Sequence, residues 1–66
     1  STDTINLSNN YQHASASVGV ILTGGSGRAS GGFDGWNNGY GSFDITVGAR
    51  SNSVNVRYEW SVWGVQ

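Results

Sequence analysis

Three stretches of the chain alternate apolar and polar residues with a period of two, and nothing else in the sequence constrains the fold as strongly. In the first, Ala14, Ala16, Val18, Val20 and Leu22 share one side and Ser15, Ser17, Gly19 and Ile21 the other. In the second, Phe43, Ile45, Val47 and Ala49 alternate with Ser42, Asp44, Thr46 and Gly48. In the third, Val54, Val56, Tyr58, Trp60 and Val62 alternate with Asn55, Arg57, Glu59 and Ser61. Side chains of a strand point to opposite faces in turn, so each stretch predicts a strand with one buried and one wet face. The expected core face is Val18, Val20, Phe43, Ile45, Val47, Val54, Val56, Tyr58 and Trp60. Thr4-Ile5-Asn6-Leu7 is a weaker fourth candidate, and residues 49–52 are short enough to join the last two strands as a hairpin.

Helices have little to build on. The chain holds two Leu, one Glu and no Lys or Met, whereas Val, Ile, Thr, Tyr, Phe and Trp fill the alternating stretches. At 66 residues it amounts to one small domain with a thin core, and without Cys it has no disulfide to brace it. Dense β pairing or oligomerisation is the usual compensation. The expected fold is therefore all-β, a small antiparallel β-sandwich or barrel of four to six strands, covering residues 1–66 as a single domain. Its irregular part is a Gly-rich loop at 23–39, where seven Gly interrupt the alternation.

Charge removes whole classes of function. The basic residues are Arg28, Arg50 and Arg57, set against Asp3, Asp34, Asp44 and Glu59. Three scattered Arg make neither a phosphate-neutralising stripe nor a polybasic membrane anchor, so nucleic acid is not expected as a partner. The longest apolar run, Val20-Ile21-Leu22, rules out a transmembrane helix. The sequence begins at Ser1 with neither Met nor a signal peptide, which reads as a processed, secreted product.

Catalytic machinery is sparse. His13 is the only His, no Cys or Lys can act as nucleophile, and no nucleophile elbow surrounds any Ser, so no enzymatic activity is expected. Gly24-Gly25-Ser26-Gly27-Arg28 lacks the Lys-Ser/Thr of a phosphate loop, and no cofactor is expected. Asp34, Asn37, Asn38 and Asp44 are hard oxygen donors, and Asn37-Asn38-Gly39-Tyr40-Gly41-Ser42 resembles the calcium segment of βγ-crystallins. Gly41 stands where that segment places a Ser/Thr ligand, and a plain Asn-rich turn is the reading adopted, with no metal site. The stronger pattern suits a sugar: aromatic faces stack on pyranose rings while amides and carboxylates read hydroxyls. The candidate ligand-binding residues are Arg28, Phe33, Asp34, Trp36, Asn37, Asn38, Tyr40 and Trp63. Trp36 is the expected anchor of a recognition loop. Trp63 falls on the polar side of the last strand, which places it at the surface or at an interface.

Four further features resemble the lactococcin-972 family of small secreted bacteriocins. They are Asn9-Asn10-Tyr11-Gln12-His13 before a strand, Gly27-Arg28 in the central loop, Thr46-Val47-Gly48 at the end of the middle strand, and the aromatic stretch Tyr58 to Trp63. The resemblance implies a sandwich of two small antiparallel sheets and an action on a bacterial cell-wall precursor. The family's Lys-rich charge is absent here, and Gln12 stands in place of one His of its pair. The expected function is thus a secreted, non-enzymatic, bacteriocin-like protein acting on a target bacterial cell envelope. The alternatives are a carbohydrate-binding lectin or adhesin module and a self-assembling or pore-forming β unit, the last resting on low charge and templating strand edges.

Overall fold

The alternation through residues 41–49 becomes the centre of the molecule. The computed structural model describes residues 1–49 and 53–66. Five strands follow in chain order: β1 (Thr2–Tyr11), β2 (His13–Ser26), β3 (Ala29–Asn37), β4 (Tyr40–Ala49) and β5 (Ser53–Val65). They form two antiparallel sheets, one ordered β1-β4-β3 and the other β2-β5, with no closed barrel among the described residues. The fold is all-β, as the alternation predicts.

The two sheets meet through the apolar sides of their strands. Phe43 and Ile45 on β4 are fully buried, and Val47 is nearly so. Around them pack Ile5 and Leu7 from β1, Val18 and Val20 from β2, Trp36 from β3, and Val56, Tyr58 and Val62 from β5. The central strand therefore carries the only fully enclosed side chains among the described residues, as a sandwich this thin allows. Tyr58 donates a hydrogen bond to Asp3 Oδ2, tying β5 to β1. That bond, then burial, then the charge of Asp3 hold the Tyr58 phenol above its ordinary value of 10.0.

Several expectations need correction. Trp60, assigned to the core, lies against Phe43 with ring centroids 6.3 Å apart, yet 45% of its surface stays in solvent. It sits on the core side of β5 opposite Val18, where the thin sandwich does not cover so large a ring. Val54, also assigned to the core, is not among the side chains packed on the central cluster; it lies beyond the point between Leu22 and Gly24 where the β2–β5 register shifts. The last two strands do not form a hairpin: β4 pairs with β1 and β3, while β5 pairs with β2. Residues 50–52, at which that hairpin turn was expected, lie outside the described residues.

The Gly-rich stretch at 23–39 is mostly strand. It holds the end of β2 and all of β3. Gly31 faces Val47 across the ladder, and a Cβ there would collide with the Thr46 carbonyl oxygen and come within 3.1 Å of Val20 Cγ2. Here glycine permits the close approach of β3 to both its neighbours. The strand ends in a two-residue turn, Asn38-Gly39, with φ of 52° and 66°. Positive φ at both central positions is the type I′ geometry whose twist suits a hairpin, and Asn-Gly is its preferred pair.

Candidate functional site

The expected ligand-binding residues divide among three places. Phe33, Trp36 and Tyr40 come together near the β3–β4 turn. The Trp36 ring centroid lies 5.4 Å from Phe33, 5.2 Å from Tyr40 and 5.6 Å from Phe43, each in edge-to-face geometry. This is how aromatic rings pack in cores. Trp36 is half-buried and leans on the central cluster, so it fills the core where a loop anchor was expected. Phe33 pairs opposite Ile45 but sits on an outer strand, and it is 40% exposed.

The polar members of this group have mixed duties. Asp34 is the extra residue of a β-bulge between Phe33 and Gly35 and is exposed, as is Asn38 in the turn. The Asn37 amide donates to Asp44 Oδ1 at 2.7 Å, and Thr4 Oγ1 donates to the same oxygen at 2.7 Å. That triad stitches β1, β4 and β3 together across the outer face of their sheet. Asn37 is thereby a structural residue. Arg28 is exposed beyond the other end of β3, eight residues from Trp36, or roughly 25 Å along an extended chain. It shares no site with the aromatic group.

Trp63 stands apart on the second sheet. It lies on the outer face of β5, opposite Ser15 of β2, with 53% of its surface exposed. Its outward neighbours are Ser61 and Val65 on β5 and His13, Ser15 and Ser17 on β2. Two shallow hollows open along these strands. One of about 320 Å³ is lined by Ser17, Val18, Gly19, Glu59, Trp60 and Ser61. The other, of about 140 Å³, is lined by His13, Ala14, Ser15, Trp63, Gly64 and Val65. Arg57 and Glu59, two residues apart on the same outer face, form an exposed ion pair at 2.6 Å. The ring of His13 packs on Tyr40 at 5.4 Å, linking this sheet to the aromatic group.

Sequence reading singled out Trp63 but missed Ser15, Ser17, Gly19, Glu59 and Ser61 beside it. The signal was present in the alternation, since all fall on the polar side of their strands. What it lacked was the pairing of β2 with β5, which brings the two polar sides together. Comparison with protein-family models, with curated proteins and with solved structures finds no match.

Proposed function

We propose that the protein is a secreted, non-enzymatic binding module whose target is a glycan-bearing component of a bacterial cell envelope, engaged by the outer face of the β2–β5 sheet. One observation carries this reading: an indole more than half exposed, with the exposed Val65 beside it and serines next to both, at the rim of the smaller hollow. A large aromatic left in water at this cost is better explained by a partner than by folding. The setting is also the one a sugar requires, a flat apolar face beside hydroxyl and carboxylate groups. The resemblance of Asn9–His13 and of the aromatic last strand to lactococcin-972 bacteriocins supports the envelope as the place of action.

Sedimentation with purified cell walls tests the reading. The wild-type protein is expected to co-sediment, and Trp63→Ala to remain in the supernatant while keeping its β-sheet circular dichroism. Equal sedimentation of the two proteins sinks the assignment. Growth inhibition of indicator bacteria by the same pair asks whether binding is antimicrobial.

Self-association is the second reading, favoured by the character of β2. Its 14 residues include no Asp, Glu, Lys, Arg or Pro, and among the strands of the described residues it is paired with β5 alone. An edge without charges is a template for a further strand. Light scattering across a concentration series distinguishes a monomeric binder from an assembling unit.

A further inference from the structure

We infer that the outer face of β2–β5 is a two-subsite saccharide cleft that takes an uncharged disaccharide, or that unit within a longer glycan. The inference rests on the binding role proposed above and names its ligand and its contacts. Trp63 and Glu59 share one face of β5, four residues apart, which at ~3.3 Å per residue sets them about 13 Å apart. Ser61 lies midway, directly opposite Ser17. The line Trp63, Ser61–Ser17, Glu59 thus offers a stacking face, a central pair of hydroxyls and a carboxylate over the length of two linked pyranose rings.

One residue lining the larger hollow has no side chain. Gly19 lies opposite Glu59, and a side chain there would project into the space between Ser17 and Glu59. Nothing in the fold demands glycine at this position. A Cβ built on Gly19 meets only the Glu59 carbonyl oxygen and Ile21 Cδ1, both at 3.9 Å, which is ordinary contact. The backbone at Gly19 is also outside the left-handed region. Glycine weakens a strand interior through its entropy and lack of packing. Its presence between Val18 and Val20, where a Cβ would meet only ordinary contacts, leaves the hollow open. At about 320 Å³ the hollow falls at the lower end of small-ligand sites, which run from roughly 300 Å³ upward.

Charge selects a neutral ligand. The Glu59 carboxylate is met by Arg57 at 2.6 Å, so the face carries no net charge, and the pair is held ready to accept and donate hydrogen bonds to hydroxyls. An anionic polymer would find no excess cation here. Stacking on Trp63 fixes the orientation of one ring, and the Glu59–Arg57 end reads the next.

Backbone amide and indole NMR shifts, titrated with chitobiose, cellobiose and lactose, test the inference on the full chain. At least one of the three is expected to shift Ser15, Ser17, Gly19, Ser61 and the Trp63 indole together. Its monosaccharide should bind at least about tenfold more weakly. Gly19→Val, which fills the hollow with a residue suited to a strand, should weaken the disaccharide at least about tenfold with undisturbed shift dispersion elsewhere. Raising the salt concentration should leave the affinity unchanged. Unchanged affinity in Gly19→Val, shifts centred on Phe33 and Asn38, or binding of teichoic acid that salt abolishes would each overturn it. If cell walls still sediment the protein through Trp63 while all three disaccharides fail, the cleft is wrong and the envelope-binding role stands. Loss of both overturns both.

Discussion

Phe43 and Trp63 are both large aromatic residues on alternating strands, and their surroundings make opposite demands. Phe43 is fully enclosed and touches the rings of Phe33, Trp36 and Trp60. Its truncation to Ala leaves a cavity and should cost about 3–5 kcal/mol. Stability at this chain length is on the order of 3–10 kcal/mol, so urea denaturation should find Phe43→Ala unfolded or nearly so. Trp63→Ala removes an exposed ring and should stay within about 0.5 kcal/mol of the parent. A large loss there would mean that the indole serves the fold. Tyr58 adds a pH dependence. Its phenol is held above the ordinary value of 10.0, so the protonated form is favoured in the folded state. The sign follows: this stabilisation is complete below pH 10 and is lost as pH rises through the raised folded value. The melting temperature of the wild type should therefore fall more steeply above pH 10 than that of Tyr58→Phe. Parallel curves would show that the bond to Asp3 contributes nothing.

At the scale of the element, β3 is the informative strand, because its geometry is set by glycine in one place and by a turn in another. Gly31→Ala forces a Cβ against the Thr46 carbonyl and should cost about 2 kcal/mol or more, with hydrogen exchange rising first along β3. Gly39→Ala strains a residue at φ 66° and should cost about 1–2 kcal/mol without altering the sheet. The same strand marks the limit of what the sequence discloses. Alternation gave the inward faces of β2, β4 and β5, since Val18, Val20, Phe43, Ile45, Val47, Val56 and Tyr58 all turn to the core. It did not reveal β3, because Gly31, Gly32 and Gly35 present no side chain from which a period can be read. Asn38-Gly39 was the legible signal there, a hairpin pair that ends one strand and begins the next. Partner choice was the larger gap. Alternation assigns faces and not neighbours, so the pairing of β5 with β2, and with it the cleft beside Trp63, was out of reach.

The whole molecule is long and narrow, 40 × 16 × 15 Å, and its topology is dominated by distant pairings. Among the described residues only β3–β4 is a local hairpin; β1 must find β4, and β2 must find β5, across most of the chain. Closing such loops costs entropy before any contact is gained, so folding should be slow for so small a protein, in milliseconds to seconds. Two common sources of slower phases are missing from the sequence, which has no Pro and no Cys. Refolding from urea, followed by Trp fluorescence, should then be a single exponential with no phase of tens of seconds. The rate should also be independent of protein concentration, because every strand finds its partner within one chain. The uncharged edge of β2 is the feature that could break this pattern. Before β5 arrives, β2 is unpaired on both sides, and a second molecule competes for it. A slow phase that grows with concentration would therefore mark assembly through β2 and favour the self-associating unit over the monomeric binder. A concentration-independent single phase, with Trp63 still free to bind cell walls, would favour the binder.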